Sequence, residues 1–118
     1  MATLERDSEI DTRFDVYLAT CPSRELLDLV TSRWAVLIVI ALGFGAMRFG
    51  SLKRQLAGIS PKVLTEKLRL LEEQDLVRRT VIERPLAVEY ELTPAGFSLL
   101  VPLSYLRKWA EDHCDQAV

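Results

Sequence analysis

The spacing of apolar residues predicts three short helices in the first third of the chain. One stripe, with steps of three and four residues, predicts an amphipathic helix that ends before Pro22: Phe14, Tyr17, Leu18 and Cys21. A second apolar cluster predicts a short helix that starts near Pro22: Leu26, Leu27, Leu29 and Val30. Residues 34–42 are apolar on every side and are followed by Gly43, so we expect a buried central helix.

The next segment has the pattern of a helix-turn-helix. A helix over about residues 49–56 is followed by Gly58, a residue typical of the turn between two such helices. Ser60 then supplies a helix cap, and Pro61 is the favoured first-turn residue of a second helix. That helix carries one apolar stripe, with steps of four and three: Leu64, Leu68 and Leu71. We therefore predict a helix-turn-helix over about residues 49–74.

Two strand-like runs follow the second helix of this unit. Residues 77–82 and 88–92 alternate in the manner of strands, and residues 83–87 are predicted to form the turn between them. A helix-turn-helix followed by such a hairpin, the wing, is a winged helix. The predicted fold is mostly α with a small β-hairpin, with the wing at about residues 77–92 of a single domain spanning residues 1–118.

The last predicted helix runs over about residues 94–113, and it begins with the cap Thr93 and the first-turn residue Pro94. It has two apolar seams: Phe97, Val101, Tyr105 and Trp109 on one side, and Leu99, Leu103, Leu106 and Ala110 on another. One seam can pack on the domain itself, and the other needs a partner, most simply a second copy. The expected homodimer uses N- and C-terminal residues: Phe14, Tyr17, Leu99, Leu103 and Leu106.

The charge distribution favours a polyanion as the partner. The net charge of −2 alone argues against nucleic acid, but residues 48–84 carry nine basic and five acidic side chains, a net +4. Residues 1–47 and 85–118 each carry a net −3. A basic middle between acidic ends fits a footprint on nucleic acid. The alternative is an unevenly charged surface that only faces water.

Several classes of protein are disfavoured. The N-terminus lacks the basic and apolar regions of a signal peptide. The longest uncharged run, residues 34–47, is shorter than the roughly 20 residues of a membrane span, so we expect a cytoplasmic protein with no membrane contact. The chain has one histidine, two cysteines and no glycine-rich phosphate loop. We therefore expect neither an enzyme nor a metal or other cofactor.

Several motifs resemble those of the HxlR-type family of bacterial transcription regulators. They are Cys21-Pro22, Trp34, RFGSL at 48–52, GISPKVLT at 58–65 and VEYELT at 88–93, and the likeness continues to Trp109. The resemblance implies a winged-helix dimer that binds a roughly palindromic operator in double-stranded DNA. It leaves the operator sequence, the effector and the sign of regulation open. This chain departs from the family at Ala87, where many members carry a basic residue, and at Asp75, which is often glycine.

The expected DNA contacts follow from the helix that begins at Pro61. Its polar face is predicted to reach base edges in the major groove: Lys62, Thr65, Glu66 and Arg69. Phosphate contacts are expected from Lys53, Arg54 and Ser60. Arg84, at the wing, is placed for the minor groove. In the rival interpretation these are ordinary exposed residues, and the winged helix is a protein-interaction module that does not bind specific DNA.

Cys21 is a candidate redox-sensing residue. It directly precedes Pro22 at the start of a predicted helix, where the helix dipole favours a thiolate. Several members of the resembled family with a cysteine at this position sense oxidants or electrophiles, and the resemblance carries that role to Cys21. Alternatively, Cys21 only packs as a small hydrophobic residue, since it continues the stripe that starts at Phe14.

Overall fold

The computed structural model describes Tyr17 and residues 22–114, and it combines five helices with a small antiparallel sheet. In chain order the elements are α1 (Pro22–Val30), α2 (Arg33–Leu42), β1 (Met47–Arg48), α3 (Phe49–Gln55), α4 (Pro61–Glu73), β2 (Val77–Glu83), β3 (Leu86–Leu92) and α5 (Pro94–His113). The mostly helical winged-helix fold is confirmed. The helix predicted before Pro22, with Phe14 and Cys21, lies outside the described residues.

The sheet differs from the predicted hairpin in two ways. It has three strands in the order β1-β3-β2, because the two-residue β1 pairs with β3 through Met47 and Arg48. Two residues are too few to show an alternating pattern, so the sequence carried no signal for β1. The predicted turn over residues 83–87 was also too long. β2 and β3 stay paired out to Glu83 and Leu86, which leaves Arg84-Pro85 as the turn.

The core is built around α2, as predicted from its apolar sequence. Helix α2 buries Ala35, Ile38, Val39 and Leu42, and it packs against α1, α3, α4, α5 and β3. The predicted stripe of α4 is fully buried against it: Leu64, Leu68 and Leu71. Burying this stripe turns the opposite side of α4 to solvent, which fixes the orientation of the polar face.

Helix α4 ends in a left-handed residue. Asp75 has φ 58°, and the amides of Asp75 and Leu76 donate to the carbonyls of Glu72 and Leu71 at 2.9 and 3.0 Å. This is the Schellman arrangement, in which the residue after the cap, usually glycine, is left-handed. Leu76 and Leu71 are both buried in the core, so the apolar contact that accompanies the motif is present. The motif sends the chain from α4 into β2.

Replacing Asp75 with glycine is expected to raise the free energy of unfolding by about 0.5–1 kcal/mol, because glycine adopts positive φ without a Cβ penalty. Asp75→Ala is the matched control, and we expect it to lower the free energy of unfolding by a similar amount. Urea unfolding followed by circular dichroism measures both changes. An equal effect of the two substitutions would show that the backbone conformation at Asp75 does not set this stability.

The junction between α4 and α5 is held by Thr93, a buried polar residue. The Thr93 hydroxyl donates to the carbonyl of Asp75 at 2.6 Å and accepts from the amide of Gly96 at 3.1 Å. The Thr93 amide donates to the carbonyl of Leu76 at 3.1 Å. One residue therefore caps α5, as predicted, and also ties the start of α5 to the end of α4.

The two seams of α5 are not equally free, and this corrects the predicted dimer contacts. Leu103 is 5% exposed and belongs to the core of its own chain, and Leu99 is half-buried against that core. Both face inward because α5 packs on α2. The large apolar residues of α5 that are half exposed or more are Phe97, Val101, Tyr105, Leu106 and Trp109. A dimer that forms through α5 can therefore bury Leu106 and the seam that begins at Phe97, but it cannot use Leu103.

Candidate nucleic-acid interface

Helix α4 begins with a side-chain cap at an exposed end. Ser60 is extended, with φ −81° and ψ 154°, and its hydroxyl accepts from the amide of Val63 at 3.1 Å. Pro61 occupies the first turn, where its missing N–H costs nothing. The cap fixes where the helix starts. The exposed first turn carries the positive end of the helix dipole, to which phosphate is attracted.

Four polar residues on the outer side of α4 are all exposed, as predicted: Lys62, Thr65, Glu66 and Arg69. Arg69 forms an ion pair with Glu73, with 3.3 Å between Nη1 and Oε1, and both side chains are more than half exposed. Such surface pairs are worth about 0–1 kcal/mol, so this one does not hold the guanidinium against a better acceptor. Lys67 is half-buried, which agrees with its position nearer the apolar stripe.

Helix α3 and the turn after it bring further basic residues to the helix-turn-helix. Lys53 and Arg54 are exposed in its last turn, and Arg54 Nη2 donates to the Ser51 hydroxyl at 3.3 Å. Gly58 has φ 92°, a conformation that favours glycine, so the turn between α3 and α4 depends on this residue. Lys53 and Arg54, two of the three predicted phosphate-binding residues, lie just before the turn that leads into α4.

Arg48 was missed in the sequence analysis. It is exposed, has extended backbone angles and immediately precedes α3, so its charge lies at the start of that helix. The signal was present in the RFGSL motif, but a single arginine at the junction of two elements has no periodicity that marks it as functional.

The wing presents Arg84 at its tip. Arg84 is exposed in the turn between β2 and β3, and Leu86 beside it is 81% exposed. Lower on the hairpin, Arg78 pairs across the strands with Glu91 at 3.1 Å, whereas Arg79 is exposed and lies opposite Tyr90. Arg79 is a second basic residue that the sequence analysis did not assign. Arg84 lies on the wing, which is a separate element from α4. The wing and α4 therefore each present a basic side chain of their own.

A capped helix with a polar outer face, a preceding helix with basic residues in its last turn and a wing with an exposed arginine at its tip define the class of winged helix-turn-helix regulators that bind DNA. A profile of the HxlR-like helix-turn-helix family matches residues 29–118. The chain belongs to this family, as the motifs in the sequence indicated.

Known proteins of this family are similar over most of the chain. The HTH-type transcriptional regulator YtfH of Escherichia coli is 41% identical over 98 residues, which cover 82% of this chain and 78% of YtfH. The solved structure of the transcriptional regulator ytfH from Salmonella typhimurium has a TM-score of 0.81 at 39% identity and covers 87% of this chain and 93% of that one. The redox regulator HypR in its reduced form has a TM-score of 0.73 at 30% identity, covering 81% and 96%.

The structure also bears on the expected absence of membrane contact. Over Tyr17 and residues 22–114, no helix is both long enough and apolar enough to cross a membrane.

Proposed function

We propose that this chain is a cytoplasmic transcriptional regulator that binds a roughly palindromic operator in double-stranded DNA as a homodimer. The observation that carries the proposal is the outer face of α4. It presents four exposed polar side chains on a helix whose opposite side is locked into the core by Leu64, Leu68 and Leu71. A rigidly held helix of this kind fits the major groove of B-DNA, where its first turns meet base edges.

The side chains of α4 have distinct roles in this proposal. Lys62 and Arg69 donate to guanine or to phosphate, and Thr65 contacts a base edge or a thymine methyl group. Glu66 accepts from cytosine, or it repels phosphate and so narrows the choice of site. Because Arg69 is held by an exposed ion pair with Glu73, its binding to guanine breaks only a weak interaction.

Phosphate contacts supply most of the affinity, and they come from α3 and α4. Lys53 and Arg54 end α3, and Ser60 begins α4 at the positive end of its dipole, whereas Arg84 at the wing tip enters the minor groove. Arg48, exposed at the start of α3, joins this set. Neutralising phosphates releases counterions, so binding is expected to weaken steeply as salt is added.

The dimer in this proposal forms through the exposed apolar residues of α5. Val101, Tyr105 and Trp109 are each more than half exposed and follow one another at helical spacing. A twofold axis along this seam repeats the α4 helix in the second copy. The two recognition helices then lie one DNA turn apart or a multiple of it, roughly 34 Å for a single turn.

Substitutions on α4 and on the wing are expected to affect DNA binding differently. The operator is first selected from a random DNA pool, and affinity is then measured by fluorescence anisotropy at two salt concentrations. Lys62→Ala should lose roughly 1–3 kcal/mol on the selected operator and much less on unrelated DNA. Arg84→Ala should weaken both alike and reduce the slope of affinity against salt by about one.

Lys108→Ala is the control for this experiment, because Lys108 is also an exposed lysine, lies on α5 and pairs with Asp112. It should leave DNA affinity unchanged. Equal losses for Lys62→Ala on operator and unrelated DNA would rule out base reading by α4. A wild-type protein that binds no DNA at low salt would instead favour the protein-interaction module.

Redox control through Cys21 stays part of this proposal as a prediction from the sequence, since Cys21 lies outside the described residues. What supports it is the similarity to HypR, which is named a redox regulator and has been solved in reduced and oxidised forms. Cys114 is a weaker candidate. It is exposed at the end of α5, and its thiol already donates a hydrogen bond to the carbonyl of Glu111 at 3.3 Å.

A further inference from the structure

The start of α2 lies beside the turn of the helix-turn-helix. Trp34, the second residue of α2, is half-buried against the core. A Cβ placed on Gly58, in the turn between α3 and α4, would lie 4.0 Å from Cη2 of Trp34. The outer edge of the indole ring therefore reaches the turn that leads into α4. Gly58 and Ser60 are exposed there, so the surface beside Trp34 adjoins the proposed phosphate contacts of the helix-turn-helix.

Arg33, the first residue of α2, holds its guanidinium over this ring. Its Cζ lies 4.5 Å from the ring centroid of Trp34, within the distance of about 6 Å at which a cation is attracted to an aromatic face. This attraction needs no oxygen acceptor, so the N–H groups of Arg33 keep their capacity to donate hydrogen bonds. The ring thus holds an otherwise flexible basic side chain next to the turn.

No acidic side chain in the described part of the chain neutralises Arg33. Three other arginines form ion pairs with glutamates: Arg69, Arg78 and Arg107. Arg33 is exposed, and it forms no ion pair with a carboxylate within residues 22–114. Its place in the chain does not stabilise α2 either, because a positive charge in the first turn of a helix is opposed by the helix dipole. An anion bound beside the turn would supply the missing acceptor.

We propose that Arg33 contacts a phosphate of the DNA backbone next to the turn between α3 and α4, with the ring of Trp34 as its support. This role rests on the proposed function, DNA binding through α4, and it adds a contact from outside the helix-turn-helix. A guanidinium can donate to two phosphate oxygens at once, and phosphates line the major groove that α4 enters. Because a phosphate contact carries no base information, Arg33 adds affinity without selecting a sequence.

The test compares Arg33→Gln with the wild type on the selected operator and on unrelated duplex DNA, by fluorescence anisotropy over a series of salt concentrations. Arg33→Gln should weaken binding to both DNAs by a similar factor, roughly tenfold at low salt, and reduce the slope of log affinity against log salt by about one. Arg33→Lys should lose less affinity and keep the wild-type slope, because it keeps the positive charge.

Lys108→Gln is the matched control, because it removes one positive charge from an exposed side chain of α5, an element outside the helix-turn-helix. It should bind both DNAs with wild-type affinity and slope, and circular dichroism should show every variant folded. A loss of the same size in Lys108→Gln would reduce the effect of Arg33 to the overall charge of the protein and would overturn the proposal.

Two further results would overturn the contact between Arg33 and phosphate. Unchanged DNA affinity in Arg33→Gln would mean that Arg33 only covers the ring of Trp34. A loss confined to the operator would mean that Arg33 reads a base. If Lys62→Ala still loses affinity for the operator in either case, the proposed function stands and only the role of Arg33 fails. A wild-type protein that binds neither DNA would overturn the proposed function itself.

Discussion

Replacing Gly96 with alanine is expected to lower the free energy of unfolding by roughly 3 kcal/mol or more, through overpacking against a fixed backbone. A Cβ at Gly96 would collide with the carbonyl oxygen of Leu76 and would lie 3.1 Å from Cδ2 of Leu92. The carbonyl of Leu76 cannot move away, because it accepts a hydrogen bond from the amide of Thr93. Urea unfolding followed by circular dichroism measures the loss.

Gly50→Ala is the control for this glycine. A Cβ at Gly50, in the first turn of α3, would meet only Nη1 of Arg54, at 3.5 Å. Because alanine is the better helix former, Gly50→Ala should leave stability unchanged or raise it by up to about 1 kcal/mol. Wild-type stability in Gly96→Ala would mean that α5 does not need to approach β2 and α4 this closely.

Two substitutions on α5, only two residues apart, are expected to have opposite consequences for folding. Leu103→Glu places a carboxylate in the core without a partner, so the chain should be unfolded. Val101 is 59% exposed, so Val101→Glu should fold but no longer assemble, because the charge lies in the proposed dimer seam. Circular dichroism reports folding, and sedimentation velocity reports assembly.

Lys108→Glu, on the solvent side of the same helix, serves as the control and should be a folded dimer. A folded, assembled Leu103→Glu protein would contradict the inward orientation of that leucine. A Val101→Glu protein that sediments as a dimer would remove this seam from the interface, and the search for the dimer contacts would then move to residues 1–21.

The helices could be predicted because their signals are local. The leucine stripe of α4 and the caps at Ser60 and Thr93 depend on residues three or four apart, and each is found where the sequence placed it. The resembled family often has glycine at the position of Asp75, which agrees with the left-handed conformation found there. Because the leucine stripe of α4 was predicted to be buried, its polar face could be predicted to point toward solvent.

The features that were not predicted depend on contacts between distant parts of the chain. Strand β1 exists because Met47 meets Tyr90, and nothing in a two-residue segment signals that pairing. The two seams of α5 are both apolar, and which one turns inward depends on how α5 lies on α2. Part of this contact lies at Gly43, where a Cβ would come within 2.7 Å of Cδ2 of Leu100 on α5.

The hydrogen bonds of Thr93 couple the end of α4 to the start of α5. The Thr93 hydroxyl is hydrogen-bonded to both the carbonyl of Asp75 and the amide of Gly96. A movement of the end of α4 is therefore expected to move the start of α5 with it. In a dimer joined along α5, a small rotation of one subunit against the other would then change the distance between the two α4 helices on the DNA. A regulator of this kind would lose its fit to the operator when the distance between the two α4 helices changes, while the structure within each subunit stays the same.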